Sequence, residues 1–157
     1  MSEENDKDLE LDDYRENEQN AVTLNTHENI NRDLCGEIMR IEQGYVELRL
    51  TTSSEMVADE QGLIHGGFIF GAADFAAMAA VNEKNVVLVG CDSHFLSPVK
   101  FGDEVNFVAR VRHKEGRKRN VYVEAHVLDI KIFHGEFRTV ITEKHVLKLK
   151  LLDREDS

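Results

Sequence analysis

A single carboxylate interrupts a long apolar stretch of this 157-residue chain. Asp74 is the one charged or strongly polar residue between Phe68 and Val81, and the stretch follows directly on Ile64-His65-Gly66-Gly67. Burying a carboxylate is costly unless something compensates its charge or uses it, and acids in perturbed environments cluster at functional sites. We therefore predict that Asp74 is the acid of an active site. A structural acid, hydrogen-bonded to helix ends or to charged neighbours at a dimer interface, is the alternative.

The glycine pair before this stretch predicts a site for a negatively charged oxygen. Gly66 and Gly67 allow the backbone to approach a ligand closely. The first N–H groups of a helix have no partner inside it and favour anions, and backbone donors of this kind stabilise the oxyanion of acyl transfer. His65 completes the set of candidate catalytic residues, chiefly through its backbone, and packing or an indirect role is the alternative for its ring.

The residues around Asp74 predict a long helix that needs cover on all sides. Gly71-Ala72-Ala73 and residues 76–80 supply small side chains and strong helix formers, and no proline interrupts them. Because the helix is apolar nearly all round, it cannot be a surface helix with one wet face. Either a sheet wraps it or a partner covers it.

Alternating segments on both sides of the helix predict the sheet. We expect a short helix capped by Thr26 and running to Leu34, then a hairpin that turns at Gln43-Gly44, and a last turn at His134-Gly135. Strands are predicted at residues 36–41, 45–50, 86–96, 105–111, 121–128 and 137–149. Strands segregated from helices argue for an α+β fold in which an antiparallel sheet wraps around one long central helix.

Composition predicts one domain with an acidic arm. The net charge is −11, and the first twenty residues hold nine acidic side chains against Lys7 and Arg15, so −7 of that charge lies there. We expect residues 1–25 to be a disordered arm, 26–150 the domain and 151–157 a flexible tail. No signal peptide or membrane span is expected, which predicts a cytoplasmic protein without a membrane partner. The histidines and cysteines lack the spacing of metal ligands, so no metal site is expected.

Two further motifs accompany the glycine turn and Asp74. They are Phe95-Leu96-Ser97-Pro98-Val99-Lys100-Phe101-Gly102-Asp103 and the pair Gly116-Arg117 in a hairpin before the fifth strand. With Gly62-Leu63-Ile64-His65-Gly66-Gly67, they resemble the hotdog-fold acyl-CoA thioesterases of the phenylacetate-degradation type, over about residues 30 to 150. The resemblance implies the hotdog fold and a homodimer whose sheets join edge to edge, and many such dimers pair further into tetramers.

The resemblance also implies hydrolysis of an acyl-CoA thioester. This reaction needs a donor for the oxyanion and a carboxylate that attacks the carbonyl or deprotonates water. By resemblance, the donor is the N–H of Gly67 or Gly66 and the carboxylate is Asp74. Gly67 and Asp74 are seven residues apart, which is about 10 Å along a helix. One helix cannot easily serve one carbonyl with both groups, whereas the family arrangement, with the glycines of one subunit facing Asp74 of the other, makes dimerisation a requirement for activity.

A basic cluster around Gly116 is the predicted binding site for coenzyme A. Lys114, Arg117, Lys118 and Arg119 suit its 3′-phosphate and pyrophosphate, and the family's corresponding hairpin favours Arg117 most. A solvated hairpin tip is the alternative. No cofactor is expected beyond the coenzyme A part of the substrate, and acyl carrier protein is an alternative carrier. Nucleic acid is not expected as a partner, because the chain is acidic and the cluster is short.

Two departures from the family pattern keep a second function open. Positions that often carry Asn and Ser or Thr hold Asp59 and Leu88, and Leu88 offers no hydrogen bond to water or substrate. The alternative is a non-catalytic acyl-CoA binder, similar to the hotdog sensor domain of malonyl-CoA-responsive repressors of lipid synthesis, although a pure binder would not need the acid. A hydratase or dehydratase on the same fold ranks last, because its catalytic His and acid belong to a different local motif.

Overall fold

Six antiparallel strands form one sheet around a long helix in the computed structural model, which describes residues 22–149. The elements in chain order are the helix α1 (Arg32–Cys35), the strands β1 (Glu37–Glu42) and β2 (Tyr45–Thr51), the helix α2 (Gly66–Val81), and the strands β3 (Val86–Phe95), β4 (Glu104–Glu115), β5 (Lys118–Val127) and β6 (Ile130–Ile141). The order across the sheet is β1-β2-β4-β5-β6-β3, so β1 and β3 are its edges. The predicted α+β fold with the hotdog arrangement is confirmed.

Helix α2 fills the concave face of the sheet. Ile69, Phe75 and every residue from 76 to 81 are buried, so the helix has almost no wet side. The alanines of this set allow the strands to approach the helix closely. Alternate residues of the strands form the opposite wall of the core, among them Leu48 and Phe107, each 1% exposed. A sheet therefore provides the cover that the apolar helix requires.

The structure agrees with one of the two predicted turns and contradicts the other. The turn at Gln43-Gly44 is confirmed, but the predicted turn at His134-Gly135 is wrong, because β6 runs straight through these residues. Glycine is needed there for close packing: a Cβ would lie 2.9 Å from the ring of Phe137 and 3.3 Å from the carbonyl oxygen of Asp92. Glycine inside a strand marks such a close approach. The chain turns instead at Leu128-Asp129.

The segment before β1 also differs from the prediction. Thr26 does not cap a helix, and α1 begins only at Arg32. Its cap is Asn31, whose side-chain oxygen accepts the N–H groups of Asp33 and Leu34 at 3.0 and 3.2 Å. The chain before α1 forms no helix, and this irregular segment contacts the end of α2.

The last strand is shorter than predicted, since β6 ends at Ile141 rather than at 149. A single 3-10 turn follows at Val146–Lys148. Within the described part of the chain, no helix is both long and apolar enough to cross a membrane. Residues 1–21 and 150–157 lie outside the described residues, so the disordered arm and the flexible tail stay predictions.

Strand β3 has one free edge. It pairs with β6 along its length, with a bulge around Val89, and no other described strand pairs with it. Val89 and Phe95 are 61% and 55% exposed. A free edge with apolar side chains is a surface on which another strand can pair.

Candidate active site

The turn before α2 is attached to the segment 95–103. Ile64 donates its N–H to the carbonyl oxygen of Val99 at 2.8 Å, and Leu63 forms a β-bridge with Lys100. The second sequence motif thus supports the glycine turn from the side. This segment, which carries part of the resemblance to the family, therefore positions the start of the central helix.

Gly66 and Gly67 form the first turn of α2 with free N–H groups. Neither donates its N–H to an acceptor within residues 22–149, as expected for the start of a helix. Two rings pack on these glycines: a Cβ on Gly67 would lie 2.9 Å from Nε2 of His65, and a Cβ on Gly66 would lie 3.4 Å from the ring of Phe95. The His65 ring therefore covers the turn, and its side chain makes no capping hydrogen bond.

An apolar cavity of about 340 Å³ opens beside Gly66, and we call it the glycine cavity. Its walls include Leu63, Ile69, Phe95, Pro98 and Ile132. No charged side chain lines it, so it suits the apolar part of a ligand.

Asp74 carries a buried oxygen without a partner. Its Oδ1 has no hydrogen-bond partner within the described residues. Burial raises the pKa of this carboxyl from 3.8 to about 6, because a surrounding of low dielectric disfavours the charged form. A structural acid tied to a helix end or to a charged neighbour of its own chain would show such a partner. Within one protomer, the structural interpretation of Asp74 therefore lacks support.

Asp74 faces a second cavity of about 380 Å³, which we call the acid cavity. Its lining residues divide into an apolar set and a polar set, which we call the apolar wall and the polar wall. The apolar wall is formed by Met78, Val86, Val87 and Leu88, and the polar wall by Thr26, His27, Lys84, Asn85 and His145. Leu88, one of the two departures from the family pattern, thus lies on the wall of the same cavity as Asp74.

The polar wall was not predicted from the sequence, because its residues belong to no local motif. The segment that holds Thr26 and His27 is attached to the end of α2 by Asn82. The N–H of Asn25 donates to Oδ1 of Asn82 at 2.7 Å, and Nδ2 of Asn82 donates to the carbonyl oxygen of Thr23 at 2.8 Å. These partners are 57 and 59 residues apart in sequence, and no periodic pattern reports contacts of that kind.

The two cavities lie toward opposite ends of α2 and share no lining residue. Gly66 lines the first and Asp74 the second. This separation agrees with the rise of about 10 Å over the seven residues between Gly67 and Asp74. In a single protomer, the donors and the acid therefore do not meet at one cavity.

The basic hairpin is partly engaged by its own chain. Arg117 forms an ion pair with Glu143, and Arg119 donates to two carbonyl oxygens of its own turn at 2.7 and 2.9 Å. Lys114 and Lys118 are exposed. None of these four basic residues lines either cavity, so their contact with a ligand stays a prediction.

Other polar candidates have structural roles. Oδ1 of Asp59 accepts the N–H groups of Gln61 and Leu63 at 3.0 and 3.1 Å, which fixes the loop before the glycine turn. Burial, with a smaller contribution from the charge of Asp74, raises the pKa of the Cys35 thiol. Burial likewise raises the pKa of Cys91, so both thiols stay protonated. Among residues 22–149, no three His, Cys, Asp or Glu side chains are placed to hold a metal ion.

Comparison with known proteins agrees with this architecture. Residues 61–133, which include the glycine turn and Asp74, match the thioesterase superfamily. The crystal structure of an uncharacterized protein from Pyrococcus horikoshii superposes with a TM-score of 0.80 at 42% identity, over 81% of this chain and 98% of that one. Over residues 61–133, the chain resembles the thioesterase superfamily. A sigma28-regulated virulence protein from Campylobacter jejuni superposes with a TM-score of 0.77 at 40% identity, over 80% of this chain and 89% of that one.

Two more distant solved structures share the fold. The PaaI protein of the Escherichia coli phenylacetic acid degradation operon has a TM-score of 0.65 at 23% identity, over 71% of this chain and 83% of that one. A Streptococcus mutans protein, solved bound to acetyl-CoA, has a TM-score of 0.67 at 21% identity, over 76% of this chain and 97% of that one. The resemblance to phenylacetate-type hotdog proteins is confirmed.

Curated relatives extend beyond this chain. Methylthioribose-1-phosphate isomerase of Aquifex aeolicus is 50% identical over 116 residues, which are 74% of this chain and 25% of that protein. Transcription factor FapR of a Thermoanaerobacter species is 27% identical over 106 residues, which are 67% of this chain and 53% of that protein. The chain thus spans a quarter of the first relative and about half of the second. The match to FapR confirms the predicted likeness to a regulatory hotdog domain.

Proposed function

We propose that this protein is an acyl-CoA thioesterase, which hydrolyses an acyl-CoA to the free acid and coenzyme A at a site built by two protomers. The observation that carries the proposal is the buried Oδ1 of Asp74, which has no partner within residues 22–149 and belongs to a side chain on a cavity wall. Such an oxygen is costly to keep without a use. Hydrolysis, the reaction for which the superfamily is named, gives it one.

A two-fold dimer through β3 would join the two cavities. Isologous pairing of two β3 edges runs the strands antiparallel, so the Phe95 end of one strand lies beside the Val86 end of the other. Phe95 lines the glycine cavity and Val86 lines the acid cavity. The glycine turn of one protomer therefore approaches Asp74 of the other, and the exposed Val89 becomes covered.

At the joined site, Asp74 transfers the proton and the glycine N–H groups stabilise the oxyanion. Ionised Asp74 takes a proton from a water molecule, whose oxygen attacks the thioester carbonyl carbon. The N–H of Gly67 or Gly66 of the other protomer stabilises the oxyanion. The carbonyl then re-forms, the C–S bond breaks, and the proton on Asp74 passes to the departing thiolate. A pKa of about 6 leaves Asp74 largely ionised at neutral pH and still basic enough for this step.

The ligand class is supported by the surroundings of the cavities. The S. mutans protein of this fold is bound to acetyl-CoA, and the apolar glycine cavity suits an acyl group. Asn85, on the wall of the acid cavity, donates to the carbonyl oxygen of Glu143 at 3.2 Å, and Glu143 is the ion-pair partner of Arg117. The basic hairpin thus lies beside the cavity, where coenzyme A phosphates would meet it, and an acyl carrier protein would present the same thioester.

A sensor that binds acyl-CoA without hydrolysing it is the second candidate function. Leu88 favours it, because this side chain gives the acid cavity a hydrocarbon wall where related enzymes often have a hydroxyl. The match to the transcription factor FapR favours it as well. In a sensor, Asp74 would contribute to ligand selection rather than to bond cleavage.

Free-thiol release from short, long and aromatic acyl-CoAs separates the two functions. We expect the native homodimer to hydrolyse at least one class of ester, and Asp74→Asn to lose roughly 100-fold or more of that rate. Glu136→Gln is the matched control, because Glu136 is an exposed carboxylate on β6, and its rate should equal the native one. Acyl-CoA binding without any thiol release by the native protein would contradict the thioesterase and favour the sensor.

A further inference from the structure

We infer that His27 is a further catalytic residue of this site, whose imidazole shares the acid cavity with Asp74 and holds the attacking water. The inference rests on the proposed hydrolysis. It addresses a gap in the site, since Leu88 and its neighbours on β3 give the acid cavity a wall without hydrogen-bonding side chains. A water molecule beside Asp74 needs a second hydrogen-bond partner to direct its lone pair, and His27 is one of the polar residues that line the same cavity.

His27 is placed by the same helix that carries Asp74. The segment before α1 is attached to Asn82 by the hydrogen bonds from Asn25 and to Thr23, at 2.7 and 2.8 Å. Asn82 is the buried C-terminal cap of α2, 5% exposed. Helix α2 therefore carries Asp74 directly and holds the segment of His27 through Asn82.

The ring of His27 is oriented by its neighbour. Its Nδ1 lies 2.7 Å from Oγ1 of Thr26, and Thr26 is 5% exposed. Nε2 has no hydrogen-bond partner within the described residues. When Nδ1 carries the proton and donates it to Oγ1, Nε2 offers a lone pair to a water molecule. The residue as a whole is exposed, but partial desolvation lowers the pKa of His27, which favours the neutral imidazole and its free lone pair.

The backbone at His27 lies in the left-handed region. Its φ is +55°, a region that side chains other than Asn, Asp and His seldom occupy. The carbonyl oxygen of His27 accepts the N–H of Ile30 at 3.2 Å, which closes a turn around it. Residues held in such conformations cluster at functional sites. This turn therefore fixes the direction in which the His27 side chain leaves the backbone.

In the reaction, the water donates one hydrogen to each of two acceptors. Its transferred proton goes to Asp74, and its second hydrogen is bonded to Nε2 of His27 throughout the step. His27 gains and loses no proton, so the balance of the hydrolysis is unchanged. The lone pair of the water is thereby aimed at the carbonyl carbon that the glycine turn of the other protomer holds.

His27→Asn tests this role in the homodimer of the whole 157-residue chain. Asn tolerates a positive φ, and its amide can keep the hydrogen bond to Thr26. Asn has no atom in the place of Nε2, so the acceptor for the water is lost. We expect kcat for acyl-CoA hydrolysis to fall by roughly 100-fold, as when a general-base interaction is removed, with KM little changed. His126→Asn on β5 is the matched control, since His126 lines neither cavity. An unchanged kcat in His27→Asn would overturn the inference.

NMR titration of the His27 ring gives a readout that needs no turnover. The charged or titratable groups around this ring are Asp74, Glu83, Lys84, His145 and its neighbour Glu28. If water links His27 to Asp74, Asp74→Asn removes a negative charge and lowers the titration midpoint of His27, by roughly half a unit or more. An unshifted midpoint would contradict the shared water.

The two proposals can fail separately. Turnover by the native protein, with no effect of His27→Asn, would remove the role of His27 and leave the thioesterase standing. Absence of turnover in the native protein would overturn the thioesterase and, with it, the catalytic role of His27.

Discussion

At the scale of the residue, the ionised carboxylate of Asp74 lowers the free energy of unfolding. Burial raises its pKa from 3.8 to about 6, so the folded protein holds the proton more tightly than the unfolded chain does. Between those two values the folded state loses stability as the pH rises, and above them the penalty is constant. At about 1.4 kcal/mol per pKa unit, the ionised carboxylate costs roughly 2–3 kcal/mol.

We predict that Asp74→Asn is more stable than the native protein at pH 8, by roughly 1–3 kcal/mol in the free energy of unfolding. The difference should shrink toward zero as the pH falls below about 3, where the carboxyl is protonated in the folded and in the unfolded state. Urea denaturation at the two ends of this pH range measures it. A variant that is less stable than native at pH 8 would indicate a stabilising partner for the carboxylate and support a structural role.

The same titration sets the lower pH limit of activity. We expect kcat/KM for an acyl-CoA to fall about tenfold per pH unit below about pH 6, because a protonated Asp74 cannot accept a proton from water. A profile of thiol release between pH 4.5 and 8 measures this limit. Activity that stays constant through pH 5 would rule out Asp74 as the base.

At the scale of elements, helix α2 depends on its small side chains. Ala76 is 0% exposed between the helix and the sheet, so added volume has no room. We predict that Ala76→Leu lowers the free energy of unfolding by roughly 1–3 kcal/mol. Ala58→Leu, in the exposed loop before the glycine turn, is the control and should leave stability unchanged. Equal urea midpoints for the two variants would show that α2 is less tightly enclosed than the structure indicates.

The elements that could be predicted from the sequence are those that depend on neighbouring residues of one segment. The helix around Asp74, the glycine turn before it and the hairpin at Gln43-Gly44 each lie in one continuous segment, and each was predicted. The turn at His134-Gly135 was wrong because glycine also serves close packing, here against Phe137. The polar wall of the acid cavity depends on a contact between Asn82 and Thr23, 59 residues apart, and no local pattern encodes it.

At the scale of the whole molecule, we propose that the free edge of β3 makes the dimer. Val89 is 61% exposed on this edge strand, and a charge on an edge opposes strand pairing. We predict that Val89→Lys shifts the protein to monomers in sedimentation equilibrium at micromolar concentration and abolishes thiol release. Met39→Lys, at a residue 54% exposed on the opposite edge strand β1, should remain dimeric and active. A monomeric native protein, or a Val89→Lys dimer, would contradict this interface.

The central claim is that one active site combines the glycine turn of one protomer with Asp74 of the other. Mixing two inactive variants tests it most directly. Asp74→Asn removes the acid. Gly66→Pro removes an N–H at the first helical position, where proline is tolerated after the extended His65. A Cβ at this position would also lie 3.4 Å from the ring of Phe95, which lines the glycine cavity.

Subunit exchange between the two folded variants creates mixed dimers, which native mass spectrometry can count. Each mixed dimer holds one site with both mutations and one intact site. We predict that the mixture regains up to about a quarter of the native rate, since about half of the dimers are mixed and one of their two sites is whole. A mixture that contains mixed dimers but stays as inactive as either variant alone would contradict the shared site.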